Sequence, residues 1–378
     1  MVDYIKNDNT IIFSPEFNKP LNPLILINYK KIIFINYELT EEIFNTYESS
    51  SINIYSRHIN INSKYIYSKF NQPLSNSLDK LTSLTHLIFG SNFNQPLLNS
   101  LDKLTSLTHI NFGPNFNQPL LNSLDKLSSL IHLTFDSDFN QPLYHSLDKL
   151  KSLINLRFDE YFNQPLLNSL DGLINLTYLT FGYEFNQSLS NSLDKLISLT
   201  HLTFGVNFNQ PLSDSLDKLI LLTHLSFSYS FNQPLCYSLE KLPSLTHLTF
   251  CVNFNQKDDL PFNIKSISVN CNNNYYTDYL PDTIEEIEFG YDFNLELNNL
   301  PLSIKKISFD KYNKYNKELN CLPNNIELLQ LPNDYKLQIK NIPKSLKKIK
   351  CSKDYEFIND FIDLEVEIYK IIKKNQMF

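Results

Sequence analysis

The feature that most constrains this chain is one segment, FNQPLSNSLDKLTSLTHLIFG from Phe70 to Gly90, copied in tandem without a change of length. Phe-Asn-Gln opens each copy, at Phe70, Phe93, Phe116, Phe139, Phe162, Phe185, Phe208, Phe231 and Phe254, always 23 residues apart. A fixed period of this size marks a solenoid, in which each unit is too small to bury its own apolar face and stacks on its neighbours. Within one unit Leu78, Leu81, Leu84, Leu87, Phe89, Phe93 and Leu97 each gain about 1.5–3 kcal/mol on burial. Ordering the backbone costs on the order of 1–2 kcal/mol per residue. A single copy therefore loses, and a stack that adds ladders and contacts between copies wins.

The repeat also predicts local geometry. Leu84-x-x-Leu87-x-Phe89 places Leu87 and Phe89 on one face of a short strand and His86 and Ile88 on the other. Ser77-Leu78-Asp79-Lys80-Leu81 reads as about one helical turn on the opposite side of the coil, with Ser77 as N-cap and an acidic residue in the first turn. Pro96 and its equivalents bar a strand interior and turn the chain between the two sides. The ladder of asparagines from Asn71 to Asn255 is expected to satisfy backbone groups of its own and adjacent coils. The fold class that follows is a repeat solenoid, with a parallel β-sheet on one side and short helical turns or extended segments on the other.

Four segments divide the chain. Residues 1–69 hold a near copy of the repeat opening, Phe17-Asn18-Lys19-Pro20-Leu21, and read as an N-terminal cap or degenerate repeats. Residues 70–256 are the 23-residue repeats. Residues 257–351 carry shorter units of 20–22 residues opened by Leu260-Pro261, Leu280-Pro281, Leu300-Pro301, Leu322-Pro323 and Ile342-Pro343, each followed by an alternating strand such as Ile284 to Phe289. Residues 352–378 have apolar side chains at Phe357, Phe361, Leu364, Ile368 and Ile371, a spacing that predicts an amphipathic C-terminal capping helix.

The repeated motif, Phe93 to Leu97 followed by Leu107 to Gly113, resembles the FNIP repeat family, a relative of leucine-rich repeats. The resemblance implies a leucine-rich-repeat-like solenoid used for protein–protein contact. Some members carry an F-box and look like substrate receptors of cullin-type ubiquitin ligases. On that basis ligase components are an alternative partner class, recruited by a cryptic module within residues 1–69, although no convincing F-box is legible there.

Composition excludes other classes. A net charge of -7 without a long basic run makes nucleic acid a poor partner. No apolar run reaches the roughly 18 residues of a membrane span, and the opening MVDYIKNDNT lacks a signal-peptide core. Together with five scattered cysteines, these features lead to the expectation of a reduced, cytoplasmic protein with no membrane partner. Abundant Asn, Ile, Lys and Tyr with no Trp reads as nucleotide bias and carries no functional weight.

Candidate chemistry is sparse. His86, His109, His132, His201, His224 and His247 share one outward slot, interrupted by Asn155 and Tyr178. Parallel imidazoles offer one ion about two ligands where zinc takes about four converging ones, so no metal or other cofactor is expected. A solvated face, or a partner surface sensitive to pH, accounts for the row better. Arg157 and Asn111 break the neighbouring threonine row and argue against an ice-binding plane. The recurring Asp79-Lys80 pairs have no nucleophile and base beside them, and six glycines form no phosphate loop, so no catalytic residue is assigned. The face changes character at Arg157 and Tyr178 and again at Glu285, Glu286, Glu288, Lys347, Lys348 and Lys350. These eight are the candidate partner-binding residues. The expected function is a non-enzymatic scaffold that binds a protein of unspecified identity through its sheet face.

Overall fold

The computed structural model describes residues 3–36, 67–250, 253–257, 260–271, 278–362 and 364–371. Contacts divide the chain into two units, residues 1–205 with 214–219, and residues 206–213 with 220–378.

In the first unit the strands are β1 (Tyr4–Lys6), β2 (Thr10–Phe13), β3 (Lys31–Phe34), β4 (His86–Ile88), β5 (His109–Phe112), β6 (His132–Phe135), β7 (Asn155–Phe158), β8 (Tyr178–Thr180) and β9 (His201–Thr203). β1 turns back antiparallel on β2. From β2 to β9 every neighbour is parallel. The register is that of the repeat, with His86 opposite His109 and His109 opposite His132. β2 and β3 join the same row ahead of the first full copy, with Lys31 opposite His86. The near copy at Phe17 works as a rung: its ring lies 6.0 Å from Phe70, and Asn18 Oδ1 accepts from Asn71 N and Gln72 Nε2, both at 3.0 Å. Of the segment 1–69 in which a recruitment module is expected, residues 37–66 are outside the described residues.

The core of this unit is two columns of phenylalanines lined by leucines. Phe93, Phe116, Phe139, Phe162 and Phe185 stack at 6.0–6.1 Å, and Phe89, Phe112, Phe135, Phe158, Phe181 and Phe204 at 5.3–6.0 Å. All are buried, as are the leucines at Leu78, Leu81, Leu84, Leu87 and their equivalents. Opposite the strands the chain runs through successive four-residue turns, for example Ser77 N to Leu74 O at 2.8 Å and Leu81 N to Leu78 O at 2.9 Å, with no helix in residues 70–205; ahead of them a single helical turn, Pro23–Leu26, joins β2 to β3. The turn after each buried leucine is entered with positive φ at Leu98, Leu121, Tyr144 and Leu167.

In the second unit the strands are β10 (His224–Ser226), β11 (His247–Phe250), β12 (Ser266–Val269), β13 (Glu286–Phe289), β14 (Lys306–Phe309), β15 (Leu328–Gln330), β16 (Lys348–Ser352) and β17 (Glu367–Ile371), all parallel. The loops shorten after β11, yet the register carries through, with His247 opposite Ser266 and Ser266 opposite Glu286. In the core, tyrosines take over from phenylalanines: Tyr315, Tyr335 and Tyr355 stack at 6.2 and 6.1 Å. The Tyr335 and Tyr355 hydroxyls donate to Lys317 O and Leu337 O.

The C-terminal capping helix is corrected. One helical turn, α1 (Asn359–Ile362), is followed by β17, which extends the sheet beside β16. Phe361 and Val366 are buried, whereas Leu364 is exposed, so the three-to-four spacing does not form one apolar face. The open backbone groups of β16 gain five residues of pairing from β17, which a helix could not supply.

Candidate interaction surface

The outward side of each strand presents two slots. In the first unit one holds Lys31, His86, His109, His132, Asn155, Tyr178 and His201, and the other Ile33, Ile88, Asn111, Thr134, Arg157, Thr180 and Thr203. Strands in a sheet sit about 4.8 Å apart, so a short side chain is shaded by taller neighbours. Ile88 and Thr134 are buried for this reason, although the alternation puts them on the outer face.

The histidines form a stacked column. His86 and His109 have ring centroids 4.1 Å apart at 7°, and His109 and His132 4.3 Å at 17°. Burial, then the positive charge of Lys31, pushes His86 down from 6.5 to about 4. Burial, then the neighbouring His86 and His132, takes His109 to about 3. Burial also lowers His132. These rings are neutral at physiological pH.

Where the column breaks, Asn155, Arg157 and Tyr178 take over. Tyr178 is 40% exposed and stacks on His201 at 4.4 Å. Arg157 lies one strand away and two positions along from Tyr178, with its guanidinium 3.8 Å from the Asp159 carboxylate. Tyr161 and Tyr183, on the turns that follow β7 and β8, are also half exposed. Sequence reasoning missed this pair, since both lie outside the strand slots.

The other charged candidates sit in the second unit, and most are already paired there. Lys265, Glu285 and Lys305 form an alternating run, with Glu285 3.4 Å from Lys265 and 2.7 Å from Lys305. Glu327 and Lys347 continue the slot at 2.9 Å. One position along, Glu286 pairs with Lys306 at 2.7 Å and Lys348 with Glu367 at 3.2 Å. The hydrogen bond from Lys305 holds Glu285 below its ordinary range, and that from Lys347 does the same for Glu327. A groove of about 410 Å³ runs beside this ladder, lined by Lys265, Glu285, Lys305, Glu327 and the hydroxyls of Thr283, Ser303 and Ser345. Of the six charged candidates in the second unit, Glu288 and Lys350 form no ion pair among the described residues. Their slot runs Ser268, Glu288, Ser308, Gln330, Lys350 and Tyr369, too mixed to pair neighbour with neighbour.

Among the described residues, no cluster of three or more His, Cys, Asp or Glu side chains is placed to hold a metal ion.

Residues 272–312 match the profile of the FNIP Repeat family. No curated protein sequence matches the chain. Among solved structures, the chain is similar to CroV588, described as a circular leucine-rich-repeat protein, with 29% identity over 94% of this chain and 48% of that one, and a TM-score of 0.65. It is also similar in fold to a chain of the Toll–Spätzle complex of Drosophila, with 12% identity over 98% of this chain and 55% of that one, and a TM-score of 0.58. This chain thus spans about half the length of each. With parallel strands repeated coil after coil and almost no helix among the described residues, it is an FNIP- and leucine-rich-repeat-like repeat protein.

Proposed function

We propose that the protein is a non-enzymatic interaction scaffold that holds a protein partner on the outward face of its sheet. The observation that carries this reading is the break in the histidine column, where Arg157 and Tyr178 stand on adjacent strands among otherwise small or neutral side chains. Tyrosine and arginine dominate binding energy at interfaces because each brings a large contact area with polar atoms at its tip. Rigid strands supply the preorganisation, since the Phe and Asn ladders beneath fix every position on the face. Of the candidates in the second unit, Glu288 and Lys350, without an ion pair among the described residues, are left for a partner, while Glu285, Glu286, Lys347 and Lys348 act through the ladder that orients them.

The test is affinity capture with the full chain, the Arg157→Glu/Tyr178→Ala double variant and an opposite-side control, Leu121→Asn. Proteins held by the parent and the control and lost from the double variant are sheet-face partners. A captured set that the double variant leaves unchanged overturns the reading.

A further inference from the structure

A groove of about 720 Å³ lies in the second unit, on the turns that lead into β11, β12 and β13, where the 23-residue units give way to the shorter ones. Pro243, Pro261 and Pro281 line it, one from each of three successive coils, together with Phe262, Tyr279 and Glu240. Phe262 is 81% exposed and Tyr279 70%. The core has no use for the Phe262 ring: Leu260, Ile264, Ile267 and Val269 are buried in the same coil, and Phe262 meets no other ring among the described residues. Two exposed rings walled by prolines with one acid beside them form a concave apolar site, unlike apolar side chains scattered singly over a surface.

The backbone chemistry of the groove restricts what can lie in it. Its three prolines carry no N–H. Pro261 O already accepts from Ile264 N at 3.2 Å, and Pro281 O from Ile284 N at 3.1 Å. The Asn263 amide is spent on the preceding coil, with Nδ2 donating to Leu245 O at 2.6 Å and to Leu242 O at 2.9 Å. The lining therefore holds no row of donors and acceptors on which a strand could pair. An ordinary extended peptide would bring one N–H per residue with no acceptor arranged to receive it. A polyproline II segment brings none at its prolines and leaves its carbonyls to solvent. Its rings pack against aromatic side chains such as Phe262 and Tyr279.

Charge narrows the occupant further. Glu240 is the one charged side chain lining the groove among the described residues; it is exposed and forms no ion pair there. A basic residue flanking the prolines meets this carboxylate in a charge-assisted hydrogen bond, and an acidic flank is repelled by it.

We infer that the groove seats a proline-rich segment of a partner protein in the polyproline II conformation, with a basic flanking residue against Glu240. The site lies off the outward slots of the sheet, so it adds a second contact to the sheet-face reading and does not depend on it.

The test uses the full chain and fluorescein-labelled octaproline preceded by arginine, read by anisotropy. The controls are octaproline preceded by glutamate, and arginine followed by four Gly-Ser pairs. The Arg-octaproline probe is expected to bind at least tenfold tighter than the Gly-Ser peptide and several-fold tighter than Glu-octaproline. Phe262→Ala is expected to weaken the probe at least fivefold at an unchanged melting temperature, and Tyr279→Ala to weaken it as well. Glu240→Lys should invert the preference between the two octaproline peptides and keep the preference for proline. Arg157→Glu/Tyr178→Ala should bind the probe as the parent does, so this inference and the sheet-face reading fail separately. No binding of the probe, equal binding of the proline and Gly-Ser peptides, or undiminished binding by Phe262→Ala overturns the inference. A concentration-dependent dimer that Phe262→Asp dissolves also overturns it, since the groove would then belong to a second copy of the chain.

Discussion

The side-chain oxygen of Asn94 accepts twice from the following coil, from the backbone N–H of Asn117 at 3.0 Å and from Nε2 of Gln118 at 3.0 Å. The same pairing repeats from Asn71, Asn117, Asn140 and Asn163 in the first unit and from Asn209 and Asn232 in the second. Each asparagine thus supplies the acceptor that a backbone amide turned away from any strand would otherwise lack. Asn94→Ala leaves that amide unsatisfied and is expected to cost about 1–3 kcal/mol. Asn94→Asp keeps an acceptor in place and should cost less. Urea unfolding of the two variants separates an acceptor role from a purely steric one, because equal losses would show that the oxygen is not what matters.

Much of this was legible in the sequence, and what was not has a physical cause. The period fixed the stack, the strand slots and the asparagine ladder because each repeats a residue whose chemistry is needed at that place. Glu285-Glu286 and Lys305-Lys306 stand 20 residues apart in corresponding places of two units, so their pairing follows from the period, whereas its extension through Lys265, Glu327 and Lys347 depends on loop lengths that vary between coils. The tail misled because spacing reports one face of a segment and says nothing of the open strand edge beside it. Nothing in the letters of Leu98 or Leu121 signals a positive φ, since asparagine or glycine is the residue type that does.

Acidification should weaken the two units in different ranges. In the folded chain His86 and His109 titrate at about 4 and about 3, below their ordinary 6.5, and His132 is lowered too. The unfolded chain therefore takes up protons first, so the stability these rings contribute is complete above about pH 7 and is lost as pH falls toward 4. In the second unit Glu285, Glu327 and Glu367 are lowered from 4.5. Their contribution is present above that value and is lost below it. Hydrogen exchange, corrected for intrinsic rates, should show protection in β5 falling between pH 7 and 5 while β14 holds. Equal protection of β5 at the two values would contradict the assignment, and His109→Phe should flatten the dependence.

Reversing Lys347, Lys348 and Lys350 together does not isolate a docking patch, because two of the three are structural partners. Lys347 pairs with Glu327 and Lys348 with Glu367, so glutamate there sets like charges against each other on adjacent strands. Exposed pairs are screened by solvent and individually weak, so the reversals should lower the stability of the last coils only modestly. Lys350 lies between Gln330 and Tyr369 and pairs with neither. Lys350→Glu should leave thermal unfolding within about 0.5 kcal/mol of the parent, the range ordinary for a surface change. Any partner lost from this single variant then reports contact at Lys350; a marked drop in melting temperature would mean that Lys350 supports the sheet.

Leu121 stores strain on the side of the coil opposite the strands. It follows the fully buried Leu120, has φ 48°, and is 65% exposed. The turn it enters closes with Ser123 N donating to Leu120 O at 2.9 Å, so the conformation is set by the need to bury Leu120 and return the chain. A left-handed conformation costs a residue with a branched side chain about 1–2 kcal/mol, and asparagine tolerates it better. Leu121→Asn gives up little burial and should stabilise the fold by about 0.5–1 kcal/mol, read as a higher urea midpoint at unchanged slope. Leu98 and Leu167 share the geometry and should respond alike. A lower midpoint for Leu121→Asn would show that contacts of the leucine side chain with neighbouring coils outweigh the backbone strain, and would make the exposed column from Leu98 to Leu167 part of what holds the stack together.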